Sequence, residues 1–252
     1  MLDYTKFKGS KNIVNNLYLY FSHRYKNILQ TYYDFEDIDI INLYKYKYSI
    51  IYDTINKKIF LDKYILDSIK NTVKDYFVFI LIIKKNKFLH VNLCLYTKNT
   101  NELEIFEPYG KCKINVDYMY KNLKKIFESN KINLIIPYDF IPNLSFQSIS
   151  ENKSLIALLS PNSKSKELDI RKNDPDGFCA SWIYWYLEMR MNNTYINRND
   201  SILISLDIYN NSDVKIYKLI RSYSMFLYIL SEEINNKGIK NIDKNLIYFI
   251  NY

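Results

Sequence analysis

The chain has 252 residues, of which 48% are hydrophobic and 25% are charged, and its formal net charge is +8. This balance excludes an intrinsically disordered chain, because disordered chains combine low hydrophobicity with high net charge. The length is sufficient for a single domain with a sizeable core. The excess of lysine and arginine leaves two interpretations open, a solvated basic surface or a surface that binds an anionic partner such as nucleic acid.

Cysteine usage and apolar runs predict a soluble protein of a reducing compartment. Three cysteines in a chain of this length do not make a disulfide framework. The N-terminus lacks the apolar stretch of a secretion signal. The longest apolar runs, such as residues 76–83, are far shorter than the ~20 residues needed to span a bilayer. We therefore expect no membrane association.

The N-terminal part is predicted to be helical. Between residues 10 and 35, apolar side chains recur three and four positions apart from Val14 to Leu29. A second helix is predicted over residues 62–73. We assign residues 1–72 to a helical extension or subdomain, because no linker or internal repeat divides the chain into separate domains.

Three strands are predicted next, the last two of them as a hairpin. Residues 76–83 form a short apolar run rich in β-branched and aromatic side chains, which is typical of a buried strand. Residues 89–95 alternate between apolar and other side chains with a period of two. Residues 97–101 predict the turn, and residues 103–106 predict the returning strand.

This hairpin is predicted to bring a histidine and an acid together. His90 lies on the face of its strand opposite the leucines. When residue 95 is paired with residue 102, His90 faces Glu107, whereas Glu104 lies on the other face. A slip of one residue would exchange the two faces. The register favours Glu107 over Glu104 as the partner of the imidazole.

Cys179 is the candidate nucleophile. Residues 178–187 are apolar nearly all round, which predicts a buried central helix that begins near this cysteine. A helix N-terminus presents partial positive charge and free backbone N–H groups, and both favour a thiolate. Cys94 is predicted in mid-strand and Cys112 in a lysine-rich turn, so neither has this environment.

Cys179, His90 and Glu107 together form the candidate catalytic set. In this chemistry His90 takes the proton of Cys179 and later protonates the leaving group, while Glu107 fixes the tautomer and orientation of the ring. Metal catalysis is not expected, because the two histidines lie far apart and the cysteine spacing matches no zinc site.

The order of histidine, acid and cysteine resembles the adenain and SUMO-deconjugating families of cysteine proteases. The acid follows His90 by 17 positions and lies in Phe-Glu-Pro-Tyr-Gly at residues 106–110, a segment similar to that of adenain. Residues 177–190 and 219–224 also resemble segments of the adenain-like proteases of large cytoplasmic DNA viruses. The resemblance covers about residues 76–230.

The resemblance implies an α+β fold of the papain-like type. A mixed sheet that bears His90 and Glu107 would pack on the buried central helix that begins at Cys179, with extra helices at both termini. We expect one domain, with the protease-like core at residues 73–230 and a C-terminal tail at residues 231–252.

The resemblance also implies a cysteine-type peptidase in which His90 is the base, Glu107 its orienter and Cys179 the nucleophile. The related proteases carry a glutamine shortly before the cysteine as a donor to the oxyanion. The corresponding region here contains Asn173 instead, and Gln147 is the other candidate for this role. The chain further departs from the pattern in having alanine, rather than glycine, after the cysteine.

The expected substrate is a viral structural precursor or a ubiquitin-like conjugate, and no cofactor is expected other than a nucleic-acid activator of the kind that adenain uses. We expect a monomer located in the host cytoplasm or the virion. Two alternatives stay open. One is an acetyltransferase with the same three residues, and the other is an inactive, basic virion protein that binds nucleic acid.

Overall fold

The structure is a computed structural model that describes residues 11–31, 48–86, 88–110, 115–142, 145–147, 178–211 and 216–242. Within these ranges, six α-helices are α1 (Lys11–Arg24), α2 (Lys63–Asn71), α3 (Asp117–Ser129), α4 (Cys179–Asn192), α5 (Arg198–Asn211) and α6 (Ile216–Lys237). Seven strands are β1 (Leu29–Gln30), β2 (Ser49–Asp53), β3 (Lys58–Leu61), β4 (Tyr76–Lys85), β5 (Phe88–Thr97), β6 (Glu102–Phe106) and β7 (Asn133–Ile135). Short 3₁₀ turns occur at Pro137–Asp139 and Ile239–Asn241.

All seven strands belong to one mixed sheet in the order β3-β2-β4-β5-β6-β7, and β1 also pairs with β4. The central strands β4, β5 and β6 are antiparallel neighbours. β1 and β2 run parallel to β4, β3 runs antiparallel to β2, and β7 runs parallel to β6. The described residues therefore form an α+β fold with a mixed sheet, as predicted at this coarse level.

The central strands form where the sequence predicts them. β4 extends two residues beyond the predicted run, to Lys85, and β5 extends the alternating segment to residues 88–97. The long apolar run of β4 is almost fully buried, and Leu93, Cys94 and Leu95 of β5 are all fully buried. Both faces of this part of the sheet are therefore covered, which explains why apolar residues occupy both alternations.

The N-terminal part contains more strand than predicted. α1 ends at Arg24 rather than continuing to Leu29, because Leu29 pairs with Tyr76 in β1. α2 agrees with the predicted second helix, and the Asp62 carboxylate accepts a hydrogen bond from the backbone N–H of Tyr64 at its start. The expectation that residues 1–72 are helical is wrong for β1, β2 and β3, which extend the sheet.

The predicted buried central helix is confirmed as α4, which continues to Asn192. Its residue Tyr186 stacks on Phe106 of β6 with 4.0 Å between ring centroids. On another side, Tyr184 stacks on Phe21 of α1 at 5.7 Å. α4 is thus enclosed by the sheet and by α1, and this explains why its sequence is apolar nearly all round.

The C-terminal helix α6 packs against both α4 and α1. Its Ser224 hydroxyl lies 2.7 Å from the Ser181 hydroxyl of α4, and Tyr223 donates a hydrogen bond to Glu188 at 2.9 Å. Asn16 of α1 donates to the Ser231 hydroxyl at 2.9 Å. The predicted boundary of a tail at residue 231 therefore falls inside a continuous helix.

Two further helices complete the described part of the fold. Ile202–Leu206 lies within α5. α3 was not predicted, although Met119, Leu123 and Phe127 recur four positions apart and are fully buried. The polar stretch 160–177 lies outside the described residues.

Candidate active site

The hairpin of β5 and β6 carries the candidate histidine and acid, in a register that differs from the predicted one. Thr97 pairs with Glu102 and Leu93 with Phe106, so residue 95 lies opposite Glu104 rather than opposite residue 102. The turn is shorter than expected because β5 continues to Thr97. A shift of two residues leaves every side chain on its predicted face, since the alternation along a strand has a period of two.

His90 and Glu107 are in direct contact. The His90 Nε2 atom lies 2.7 Å from Oε1 and 2.8 Å from Oε2 of Glu107. His90 is 2% exposed and Glu107 is fully buried. Because Glu107 occupies Nε2, the nitrogen of the ring that is left for another partner is Nδ1.

The other partner of the imidazole is the Cys179 thiol, with which His90 forms a side-chain hydrogen bond. Cys179 is the first residue of α4 and is partly exposed. No side chain of the described residues caps this helix at Phe178. Backbone N–H groups of the first turn, together with the helix dipole, therefore face the region of the thiol.

The protonation of His90 follows from these contacts. Burial of the ring lowers its pKa, but the Glu107 charge, hydrogen bonds with Cys179 and Glu107, and the Cys179 charge outweigh this effect and raise the pKa to about 10. His90 is therefore an imidazolium at neutral pH. The Cys179 thiol therefore has a cationic hydrogen-bond partner and lies at a helix N-terminus, which are features of the surroundings of nucleophilic cysteines.

Cys94 and the second histidine do not share this environment. Cys94 is fully buried in β5, and burial raises the pKa of its thiol far above the usual value. His23 is exposed near the end of α1. Cys112 lies outside the described residues. Among the described residues, only Cys179 combines a partly exposed thiol with a contacting histidine.

Glu104 has different partners from Glu107. Its Oε1 atom accepts a hydrogen bond from the Tyr186 hydroxyl at 2.7 Å and lies 3.2 Å from Arg190 Nε. Its Oε2 atom lies 2.8 Å from Nε of Arg198, a residue that also pairs with Glu102. Glu104 thus connects the sheet to α4 and α5, and it is Glu107 that contacts His90.

The turn after β6 holds the Glu107 carboxylate in place. Oε1 of Glu107 accepts a hydrogen bond from the Tyr109 backbone N–H at 3.0 Å, and the Gly110 N–H donates to the Glu107 carbonyl at 2.9 Å. Gly110 has a φ of +77°, and a Cβ atom there would lie 2.0 Å from the Pro142 carbonyl oxygen. The glycine of the Phe-Glu-Pro-Tyr-Gly segment is therefore required by both conformation and space.

The oxyanion candidates differ in what the structure describes. The Gln147 backbone N–H donates to the Pro108 carbonyl at 2.9 Å, so Gln147 adjoins the turn that carries Glu107. Its neighbour Phe146 packs on Trp182, one turn after Cys179, with 5.3 Å between ring centroids. Gln147 is 1% exposed. Asn173, the other candidate, lies outside the described residues.

Two residues near the site were not singled out from the sequence. Tyr109 is partly exposed, and its ring centroid lies 5.5 Å from that of His90, so it covers one side of the imidazole. Asn92 is fully buried two positions after His90 on the same strand. Because side chains alternate along β5, Asn92 shares a face with His90. This alternation is the feature of the sequence that could have identified Asn92 as a neighbour of the site.

In the parts of the chain that the structure describes, no group of three or more histidine, cysteine, aspartate or glutamate side chains is placed to hold a metal ion. Within the same residues, no helix is both long enough and apolar enough to cross a membrane.

The site brings together a cysteine, a histidine and an acid. Comparison with known proteins finds a viral relative. No family model and no solved structure matches the chain. The chain is 28% identical over 240 residues to "Putative ankyrin repeat protein L371" of Acanthamoeba polyphaga mimivirus. The aligned stretch covers 86% of this chain but only 29% of that protein. The match is consistent with a viral origin.

The name of this relative describes a different architecture. Ankyrin repeats are units of about 33 residues, each made of a turn and two helices. The described residues of this chain instead form a seven-stranded sheet with six α-helices. Since the chain spans less than a third of the relative's length, the name assigns no activity to the part that the two proteins share.

Proposed function

We propose that the protein is a cysteine peptidase of the papain-like type, in which Cys179 is the nucleophile, His90 the general base and acid, and Glu107 the residue that orients His90. The observation that carries this proposal is the position of the buried imidazole. It contacts the Glu107 carboxylate through Nε2 and also hydrogen-bonds the thiol at the N-terminus of α4.

The chemistry follows from the protonation state of the pair. The Cys179 thiolate attacks the carbonyl carbon of a peptide or isopeptide bond and forms a tetrahedral oxyanion. His90 then donates its proton to the leaving amine as the C–N bond breaks, which leaves a thioester on Cys179. Water, deprotonated by His90, attacks the thioester and releases the acid, which regenerates the Cys179 thiolate and the protonated His90.

The oxyanion needs hydrogen-bond donors at the N-terminus of α4. The Cys179 backbone N–H is one such donor, since it belongs to the uncapped first turn. Gln147 is our candidate for the second, because its segment packs between the Glu107 turn and Trp182. Its carboxamide is buried, so a bond to an oxyanion there would be strong.

The substrate class is part of the proposal. A protonated His90 can donate a proton to the leaving amine of an amide substrate, and we propose a viral precursor protein or a ubiquitin-like conjugate as the target. An acetyltransferase would form the same thioester, from acetyl-CoA, and pass the acyl group to an amine. Turnover of acetyl-CoA without peptide hydrolysis would assign the protein to that class instead.

The test is covalent labelling of the purified protein, read by peptide mass spectrometry. We expect an electrophilic peptide or ubiquitin-like C-terminal probe to modify Cys179 at pH 6.5–7.5, and His90→Ala to slow this labelling by about 10²-fold or more. Cleavage of a fluorogenic peptide that ends in Gly-Gly should be lost in Cys179→Ala.

Cys94→Ala is the matched control, because it removes a buried thiol of β5 that takes no part in the proposed chemistry. This variant should label at Cys179 as the wild type does. Equal labelling of Cys179 in the wild type and in His90→Ala would contradict the proposal, as would cleavage that persists in Cys179→Ala.

A further inference from the structure

Asn92 is a buried polar residue with unmet hydrogen bonds. Its side chain is fully buried, and among the described residues neither Nδ2 nor Oδ1 has a hydrogen-bond partner. Leaving a buried carboxamide unpaired costs about 1–3 kcal/mol for each group, and buried polar groups in native proteins are nearly always satisfied. Unsatisfied groups that persist are concentrated at functional sites.

The position of Asn92 relates it to the His90 and Glu107 pair. β5 pairs regularly with β4, with His90 opposite Ile83 and Asn92 opposite Leu81, so His90 and Asn92 point to one face. Continuing the register of β5 and β6 by one step beyond Leu93 and Phe106 places Asn92 opposite Glu107. Residues opposed in this way have Cβ atoms about 4.5–5.5 Å apart.

Glu107 has an acceptor site that matches this donor. An ionised carboxylate offers about four lone-pair sites. His90 Nε2 uses one on each oxygen, and the Tyr109 N–H uses another on Oε1. One site on Oε2 is left, and Glu107 is fully buried, so bulk water does not reach it.

We infer that Asn92 is a positioning residue for the His90 and Glu107 pair, to which it donates through one ordered water that bridges its carboxamide and Oε2 of Glu107. Such a water has polar partners on both sides, as buried waters require. It would hold the carboxylate against the ring without competing for the oxygen sites that His90 and Tyr109 use. This inference rests on the proposed function of the same site.

The experiment compares two variants of equal shape. Asn92→Val removes every polar atom, whereas Asn92→Thr has the same shape and keeps a hydroxyl that can donate, and both are β-branched residues suited to a strand. Because the chain has only two histidines, the His90 ring can be followed by NMR, with His23→Gln to assign the signals.

We expect Asn92→Val to lower the pKa of His90 by about one unit or more, because a carboxylate that turns away no longer stabilises the imidazolium. Asn92→Thr should retain most of the wild-type value. Iodoacetamide labelling of Cys179 at pH 6.5 should fall about tenfold in the valine variant and recover in the threonine variant.

An unchanged pKa of His90 in Asn92→Val would overturn the inference. Equal pKa shifts in the valine and threonine variants would also overturn it, because the effect would then come from the shape of the side chain. Asn92→Ser and Asn92→Ala give the same comparison if the valine variant does not fold. Cys94→Ala, the next residue along that face, should leave the titration unchanged. Because the readout is the ring of His90, it distinguishes this inference from a failure of the protein to cut peptides.

Discussion

At the scale of single residues, two buried carboxylates three positions apart have different roles because they have different partners. Glu107 contacts an imidazole and a backbone N–H, and this arrangement places its charge on a ring that also hydrogen-bonds a thiol. Glu104 contacts Tyr186, Arg190 and Arg198, which belong to the scaffold around α4. Glu107 thus affects the protonation state of His90, whereas Glu104 joins β6 to α4 and α5.

This difference predicts separate effects for two matched substitutions. Glu107→Gln keeps the size of the side chain but removes its charge, so the pKa of His90 should fall well below 10 and peptide cleavage should fall about tenfold or more. Glu104→Gln should lower the free energy of unfolding by about 1–3 kcal/mol and leave the His90 titration unchanged. NMR titration and urea denaturation measure the two effects, and a shifted His90 titration in Glu104→Gln would contradict this separation.

At the scale of elements, the site depends on how three segments meet. The end of β6 and its turn carry Glu107, residues 145–147 pack between that turn and α4, and α4 begins at Cys179. The turn is anchored at Gly110, where the backbone approaches the Pro142 carbonyl too closely for any side chain. We therefore expect the geometry of the carboxylate to depend on this glycine.

Gly110→Ala tests this dependence, and Gly238→Ala is its control. Both glycines have positive φ, +77° and +74° respectively. An added Cβ at Gly110 would clash with backbone, while nothing lies within 4 Å of one at Gly238. We expect Gly110→Ala to cost about 2–5 kcal/mol and to reduce Cys179 labelling, and Gly238→Ala to cost about 1–2 kcal/mol with labelling unchanged. Thermal denaturation and mass spectrometry provide the measurements, and equal costs at the two positions would be evidence against an anchoring role.

Elements with a strong periodic signal could be predicted from the sequence, and weaker ones could not. The run of β4, the alternation of β5 and the apolar helix α4 each have a pattern that only one kind of structure satisfies. β2 and β3 are short, and β3 is a partly exposed strand at the edge of the sheet. Their sequences therefore lack the clear alternation or long apolar run that predicts a strand. α1 was predicted too long because Leu29 continues a helical spacing but pairs with β4 instead.

The candidate site was partly predictable for the same reasons. His90 and Glu107 could be placed together because an error of two in the register preserves the face of each side chain. The contact of the pair with Cys179 required the packing of α4 against the hairpin, which no local pattern encodes. The role inferred for Asn92 was not predictable, because it depends on which buried polar atoms have hydrogen-bond partners in the folded protein.

At the scale of the whole molecule, buried titratable groups make stability depend on pH. Burial raises the pKa of Glu188 to about 7, although Arg24 and the hydrogen bond from Tyr223 act in the opposite direction. The pKa of His90 is raised to about 10 by the contacts described above, which outweigh burial. In both cases the folded protein holds a proton that the unfolded chain releases at lower pH.

The sign of the dependence follows from proton binding. Stability changes with pH in proportion to the protons bound by the unfolded chain minus those bound by the folded one. Glu188 makes this difference negative from about pH 4.5 to 7, and His90 does so from about pH 6.5 to 10. The stabilising effect of each proton is complete below the unfolded pKa and is lost as pH rises through the folded one.

We therefore expect the free energy of unfolding to decrease from about pH 5 to 7 through Glu188, and from about pH 9 to 10 through His90, by up to about 1.4 kcal/mol per pH unit in each range. Between these ranges, a proton released on folding by the proposed Cys179 thiolate offsets the proton that His90 takes up. Glu188→Gln should flatten the curve below pH 7 and leave the upper part intact, because the glutamine does not titrate but keeps the contact with Tyr223. His90→Gln should flatten the curve between pH 9 and 10 and leave the part below pH 7 intact. Urea denaturation at each pH measures the curve. A stability that stays flat between pH 9 and 10 in the wild type would mean that the imidazole is neutral in the folded protein, and that Cys179 has no cation beside it.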